Sequence, residues 1–100
     1  MTKRIALSVN NKPIELDYFV QSFIDHTTGG MVEALKGTEK IKTIHISIEA
    51  TNVRITLNDA VVPLNTFVNE IIKNTIFGMV SSLKGVGKIK QLDINIERTD

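Results

Sequence analysis

The chain contains no cysteine, no tryptophan and only two prolines among its 100 residues. The lack of cysteine excludes disulfides and thiolate metal ligands, and it leaves the redox compartment open. No apolar run has the length of a signal peptide or a membrane span, so we expect a cytoplasmic protein without a membrane partner. Twelve basic and eleven acidic side chains give a net charge of +1, which argues against attraction of the whole surface to nucleic acid or membranes.

What is present has the composition of an ordinary globular protein. Apolar residues make up 42% of the chain and charged residues 23%, so the chain is not of the disordered type. One hundred residues are enough for one small domain and too few for two independent cores of ordinary size. We therefore expect a single domain over residues 1–100.

An internal repeat dominates the sequence. Residues 5–49 align without a gap with residues 53–97 at a constant offset of 48, and 18 of the 45 aligned pairs are identical. The block Gly-Met-Val-x-x-Leu-Lys-Gly stands at 30–37 and again at 78–85. Unrelated segments would share roughly a tenth of their residues or less, so the self-similarity indicates a duplication. The link 50–52 is too short for a domain linker, and the two copies are expected to share one core.

Each copy opens with the alternation of a half-buried strand, followed by a turn. Asn10-Asn11, matched by Asn58-Asp59, consists of residues that tolerate the positive φ of a two-residue hairpin turn. Folding back at either turn sets apolar residues opposite one another, which predicts a hairpin in both copies. The predicted pairs are Leu7 with Ile14, Ile5 with Leu16, Ile55 with Val62, and Val53 with Leu64.

A helix of about twenty residues is predicted next in each copy, from apolar residues at helical spacing. Asp17 and Asn65 stand at the N-cap position. The helices are expected to run to Lys36 and Lys84, because glycine follows each lysine and ends a helix at little cost. In the first helix the residues at helical spacing are Phe19, Val20, Phe23, Ile24, Met31, Val32 and Leu35.

A last strand is predicted in each copy from the alternation over 43–48 and 91–96. Each unit is then ββαβ, and the whole chain is α+β, with two long helices covering one side of an antiparallel sheet. If the return leg of the hairpin were a loop instead, the order would become βαββαβ, the ferredoxin-like arrangement.

Two segments of the second copy carry a resemblance. They read Pro-Leu-Asn-x-Phe-Val at 63–68 and Gly-Met-Val-Ser-Ser-Leu-Lys-Gly at 78–85. The pattern resembles an uncharacterised prokaryotic family, often archaeal, of small proteins built on such a repeat unit. The first copy departs from it, with Glu15 in place of Pro63 and Glu33-Ala34 in place of Ser81-Ser82. The resemblance covers nearly the whole chain and implies the fold, but it implies no function and no site.

Half of the basic residues lie in two loops that follow the helices. They are Lys36, Lys40, Lys42, Lys84, Lys88 and Lys90. These six are candidate anion-binding residues, because clustered ammonium groups on a glycine turn can hold phosphates. The simpler interpretation, which we favour, is that such lysines complement the dipole of a helix C-terminus. The segment 85–88 is not a nucleotide-binding loop, because it leaves a helix instead of preceding one.

No pattern supports catalysis, a metal site or a bound cofactor, so we do not expect an enzyme. Neither His26 nor His45 recurs in the other copy, and no His, Asp and Glu residues have metal-ligand spacing. His45 aligns with Asp93, and a solvated strand residue is the favoured interpretation of each. The open face of the predicted sheet has no aromatic residue on which RNA bases could stack.

The second helix carries more apolar residues than one stripe requires. Ile76-Phe77 stands where the first copy has Thr28-Gly29. A helix that is apolar on nearly all sides is normally buried on more than one side, and here a second chain would supply the cover. Ile76, Phe77 and Val80 are therefore the candidate interface. The leading function is a non-enzymatic interaction or assembly module that forms a homo-oligomer, a dimer or larger. The alternative is a phosphate-ligand or nucleic-acid binder that uses the lysine loops.

Gly30 and Gly78 stand in the middle of the predicted helices. Glycine costs about 1 kcal/mol relative to alanine in a helix interior. A close approach of another backbone or a slightly weak helix would each account for them, and the sequence leaves both open.

Overall fold

A computed structural model describes residues 2–37 and 40–99. The elements are β1 (Thr2–Val9), β2 (Lys12–Ile14), α1 (Tyr18–Lys36), β3 (Thr43–Glu49), β4 (Asn52–Leu57), β5 (Ala60–Val62), α2 (Thr66–Ser81) and β6 (Gln91–Thr99). The six strands form an antiparallel sheet in the order β2-β1-β6-β3-β4-β5. The chain is therefore α+β, as predicted. The second segment of each hairpin, β2 or β5, is a strand and not a loop. The element order is therefore not the ferredoxin-like βαββαβ alternative.

Two-residue turns join β1 to β2 and β4 to β5. The turn residues Asn10, Asn11, Asn58 and Asp59 have φ values of 52°, 66°, 50° and 68°. Positive φ at both central residues is the mark of the type I′ hairpin turn, as predicted. The observed register pairs Leu7 with Ile14 and Ile55 with Val62, again as predicted. The strands β2 and β5 end at these residues, so the predicted pairs of Leu16 and Leu64 are not part of the ladder.

The centre of the sheet is the pair β3 and β6. Ile46 lies opposite Ile94, and these two residues are also 48 positions apart in the sequence. On either side of them, Ile44 lies opposite Ile96 and Ile48 opposite Leu92. The offset of 48 therefore exchanges the two central strands, and an approximate two-fold axis passes through the sheet at Ile46 and Ile94.

The core lies between one face of the sheet and the two helices. Alternate residues of the central strands are at most 1% exposed, as the alternation predicts: Ile44, Ile46, Ile48, Leu92, Ile94 and Ile96. The helices add the buried side chains Ile24, Val32, Ile72, Ile76 and Val80. Burial of each such side chain stabilises the fold by about 1.5–3 kcal/mol.

The helices begin at the predicted residues, but the second helix ends early. Asp17 accepts a hydrogen bond from Val20 N–H and Asn65 accepts one from Val68 N–H, each at 2.8 Å. The helix α1 reaches Lys36, whereas α2 ends at Ser81 and not at Lys84. In α2 the hydroxyls of Ser81 and Ser82 donate to the carbonyl oxygen of Gly78 at 3.3 and 3.0 Å. Serine hydroxyls that bond to the preceding turn weaken a helix, and α1 has Glu-Ala at the equivalent positions.

Replacing Gly37 or Gly85 with valine should destabilise the fold by about 1–2 kcal/mol each. Both glycines have a φ of 82°, a value that a β-branched residue adopts only with strain. Denaturant midpoints would measure the loss. Lys88→Gln is a suitable control, because the side chain of Lys88 is exposed and its loss should change stability by less than about 0.5 kcal/mol.

Candidate functional site

The fold places the six candidate anion-binding lysines in two groups at opposite ends of the sheet. The groups are Lys36, Lys40 and Lys42 before β3, and Lys84, Lys88 and Lys90 before β6. The strand β3 begins where Thr43 lies opposite Glu97, and β6 begins at the other end, where Gln91 lies opposite Glu49. All six lysines are exposed. They form two groups of three and not one basic patch.

The first lysine group is held by the hairpin turn of the other half of the chain. The side-chain oxygen of Asn58 accepts hydrogen bonds from the backbone N–H groups of Lys42 at 2.8 Å and Thr43 at 3.0 Å. The side-chain amide of Asn58 donates to the carbonyl oxygen of Lys40 at 2.8 Å. One half-buried asparagine therefore fixes three backbone groups of the loop.

The second group is held in the same way by Asn10. Its side-chain oxygen accepts from the N–H groups of Lys90 at 2.8 Å and Gln91 at 3.1 Å, and its amide donates to the carbonyl of Lys88 at 2.8 Å. Loops that bind phosphate commonly offer free backbone N–H groups. Because these two N–H groups already donate to Asn10, an anion here would meet exposed ammonium groups, which contribute little individually.

A buried ion pair joins α1 to the end of β6. The carboxylate oxygen Oδ1 of Asp25 lies 2.9 Å from Nη2 and 3.0 Å from Nε of Arg98. Asp25 is 0% exposed, and the side chain of Arg98 is 19% exposed. Thr28, one turn further along α1, is also 0% exposed, and its hydroxyl has no hydrogen-bond partner in the part of the chain that the structure describes. The sequence analysis missed this pair.

The guanidinium of Arg98 accounts for one difference between the two helices, the glycine at position 29. A Cβ atom at Gly29 would lie 2.5 Å from Nη2 of Arg98, so Arg98 fills the space beside this glycine. At the positions 48 residues away, Phe77 replaces Gly29 and Ala50 replaces Arg98. Lys73 stands at the position of Asp25 and pairs with Glu70 of its own helix, so the second half of the chain has no equivalent of this ion pair.

The candidate interface at Ile76, Phe77 and Val80 has to be corrected. Ile76 and Val80 are 0% exposed within the single chain, and Phe77 is half-buried against the same core. The apolar excess of α2 serves the interior of the protomer. Ile76 and Val80 offer no surface to a second chain, and Phe77 offers only part of its ring.

The apolar surface lies instead on the first turns of both helices. The exposed fractions are 71% for Phe19, 51% for Phe23, 72% for Phe67 and 51% for Ile71. We call these four residues the outer patch. Phe19 corresponds to Phe67 and Phe23 to Ile71 at the offset of 48, so both helices carry it at the same place. The rings of Phe19 and Phe23 are 6.0 Å apart.

The outer patch points away from the sheet because of its position on the helical turn. Successive helix residues are rotated by about 100°, so Phe19 and Phe23 lie opposite the middle of the buried face, which is formed by Ile24, Asp25, Thr28, Gly29 and Val32. The sequence analysis had placed Phe19 and Phe23 in the apolar stripe of α1, but the sheet covers a narrower arc. The sequence does contain a signal for the patch, because the apolar residues of each helix are spread over a wider arc than one buried face requires.

The mid-helix glycines share this outer side. Gly30 follows Phe19 by eleven residues, or about three turns, and Gly78 follows Phe67 by the same interval. A Cβ atom at either glycine would have no neighbour within 4 Å among the described residues. A close backbone approach within the chain is therefore not the reason for these glycines.

The open face of the sheet carries the second polar constellation. Nε2 of His45 lies 3.3 Å from Oδ1 of Asp93, and the two side chains are 46% and 28% exposed. Beside them is a shallow cavity of about 390 Å³, lined by His45, Ser47, Glu49, Asn52, Val53 and Arg54. Within the described ranges, no three His, Asp or Glu side chains come together as metal ligands would. The arrangement amounts to one solvated imidazole–carboxylate contact.

Neither helix of the described segments is both long enough and apolar enough to cross a membrane. Comparisons of the chain with protein-family models, with curated proteins and with solved structures found no match. The resemblance noted from the sequence stays a prediction.

Proposed function

We propose that this chain is a non-enzymatic interaction module that assembles with copies of itself through the outer side of its two helices. The observation that carries the proposal is the outer patch. Four of the five aromatic residues of the chain, Tyr18 included, are more than half exposed. Aromatic side chains contribute strongly to interfaces, and their exposure to water is costly.

The size of the patch supports an interface. With about 200 Å² for each ring, the exposed parts of Phe19, Phe23 and Phe67 amount to on the order of 400 Å². A standard interface buries about 800 Å² on each partner, and somewhat more than half of this area is apolar. The three phenylalanines and Ile71 would supply most of that apolar share.

We further propose that the chain arose by duplication of a ββαβ unit. Each half has the same element order, and the offset of 48 relates the two hairpin turns, the two N-caps and the two parts of the outer patch. The duplication places one half of the patch on each helix, so the two copies of the unit contribute equally to one assembly surface.

The lysine loops support the alternative function less well. The lysines are exposed, and the two groups lie at opposite ends of the sheet. Backbone N–H groups of both loops already donate hydrogen bonds to the side chains of Asn58 and Asn10. A titration with mixed oligonucleotides over a range of salt concentrations would test this alternative, because phosphate contacts give a steep salt dependence.

Sedimentation of the wild-type protein at micromolar concentration should give a dimer or a larger species. The double variant Phe19→Asp/Phe67→Asp should sediment as a monomer with unchanged circular dichroism, because it places charges in an apolar contact. Asn95→Asp, which adds a charge on the open face of the sheet, is the matched control and should leave the assembly intact. A wild-type monomer of 11.1 kDa under these conditions would refute the proposal.

A further inference from the structure

We propose that the partner is a second copy docked helix layer against helix layer, with the outer patch of each copy seated on the glycines Gly30 and Gly78 of the other. This inference rests on the proposed function above and adds the partner's orientation and the residues that receive it. The result would be a four-layer particle, with the two helix layers inside and the two sheets outside.

The glycines are the first support. Glycine is the least favourable helix residue apart from proline, yet it stands at the same outer position of both helices. Within the described chain a Cβ atom would fit at either place without a contact. A contact outside the single chain would account for both glycines, because a helix surface without a side chain can receive a large side chain of a neighbour.

The directions of the helices make this face complementary to itself. The helix α1 leads to the start of β3, where Thr43 lies opposite Glu97, and α2 leads to the start of β6 at the other end of the sheet. The start of α1, at Asp17 and Val20, lines the same cavity as Ser82 and Leu83, which follow α2. The start of one helix therefore lies beside the end of the other, and the two helices run in opposite directions. The N-terminal half of each helix, which carries the outer patch, therefore lies beside the C-terminal half of the other helix, which carries the glycine.

A second copy turned over onto this face meets it in a favourable register. If the two-fold axis is parallel to the helices, the N-terminal half of α1 in one copy, which carries Phe23, lies over the C-terminal half of α2 in the other copy, which carries Gly78. If the axis is perpendicular to the helices and parallel to the sheet, the same half of α1 lies over the C-terminal half of α1 in the other copy, which carries Gly30. In both cases aromatic side chains of one copy lie over glycines of the other, as an isologous two-fold interface requires.

The other surfaces of the molecule fit a second copy less well. The edge strands β2 and β5 are each three residues long. Pro13 lies within β2 and Pro63 directly follows β5, and proline has no N–H group to pair with another strand. The open face of the sheet carries the exposed charges of Arg4, Arg54 and Glu97, and removal of these groups from water would be costly.

The glycine seats can be tested with Gly30→Ala and Gly78→Ala. At concentrations below the dissociation constant, each variant should raise the denaturation midpoint, because alanine favours the helix and meets no atom in the chain. Each should nevertheless weaken the dimer by about tenfold or more, because the added methyl lies under the seated side chain. Asn95→Ala, an exposed change on the open face of the sheet, should leave the dissociation constant unchanged.

The orientation can be tested by disulfide cross-linking, because the chain has no cysteine of its own. His26→Cys and Asn74→Cys place a thiol between the outer patch and the glycine of each helix, and both positions are exposed. If the dimer axis is perpendicular to the helices, each variant alone should form a cross-linked dimer on oxidation. If the axis is parallel to the helices, only a mixture of the two variants should form one. Asn95→Cys, on the open face of the sheet, should remain uncross-linked.

The outcomes separate this inference from the proposed function. If the glycine variants bind as tightly as the wild type, or if Asn95→Cys cross-links and the helix variants do not, the docking proposed here is wrong, while the assembly itself stands. If the wild-type protein is a monomer, the proposed function fails, and this inference fails with it.

Discussion

Arg98→Met should destabilise the protein by about 3 kcal/mol. The substitution keeps an unbranched apolar stem but removes the guanidinium from the carboxylate of Asp25, which is 0% exposed. Removal of one partner from a buried ion pair costs about 3–5 kcal/mol, because the remaining charge stays desolvated. The lower end applies here because Arg98 is 19% exposed at the edge of the sheet. Denaturant titration at one fixed protein concentration would measure the loss, since assembly also changes the apparent stability.

The double variant Asp25→Leu/Arg98→Met separates the ionic contribution from packing. With both charges removed, the region should recover most of the lost stability, because a buried ion pair can often be replaced by apolar side chains of similar volume. At the equivalent positions the second half of the chain has Lys73, Phe77 and Ala50, so it does without an ion pair between the positions of Asp25 and Arg98. A double variant as unstable as Arg98→Met would mean that the loss comes from packing and not from the buried charge.

The parts of the fold that follow from local rules could be predicted from the sequence. The positive φ of Asn10 and Asn58 follows from the turn chemistry of asparagine, and the register of Leu7 with Ile14 follows from the alternation around that turn. The N-caps Asp17 and Asn65 were identified for the same reason. In each case the signal and the contact lie within a few residues of one another.

The ion pair could not be found in that way, because Asp25 and Arg98 are 73 residues apart. Asp25 has the appearance of a charged residue on a helix surface, and Arg98 that of a polar residue at the end of a strand. The available signal was a correlated difference between the copies. Asp25, Gly29 and Arg98 are replaced by Lys73, Phe77 and Ala50 at the offset of 48. The apolar pair in α2 was instead assigned to an interface with a second chain.

The outer patch illustrates a second limit of sequence reasoning. Phe19 and Ile24 both have the helical spacing of a core stripe, and the pattern alone does not tell how wide an arc the sheet covers. In the fold Ile24 is 0% exposed and Phe19 is 71% exposed. The width of the buried arc of a helix depends on the tertiary structure. Here it is narrow because the sheet covers each helix from one side only.

Asn58→Ala should be the other strongly destabilising substitution, with a loss of about 3 kcal/mol. The change removes two hydrogen bonds accepted from Lys42 and Thr43 N–H and one donated to the carbonyl of Lys40. Each bond contributes about 0.5–1.5 kcal/mol. It also places alanine at a φ of 50°, which costs about 1 kcal/mol in the left-handed region.

Asn58→Gly isolates the hydrogen bonds from the backbone strain, because glycine accepts a φ of 50° without a steric penalty. This variant should still lose about 2 kcal/mol, since the same three bonds are gone. Asp59→Gly, at the exposed neighbouring turn position with a φ of 68°, is the matched control and should change stability by less than about 0.5 kcal/mol. Amide hydrogen exchange at Lys42 and Thr43 should accelerate in both Asn58 variants and not in the control, because their N–H groups lose the acceptor. Equal losses in Asn58→Gly and Asp59→Gly would assign the role of the turn to its backbone alone, and the lysine loop would then owe its shape to other contacts.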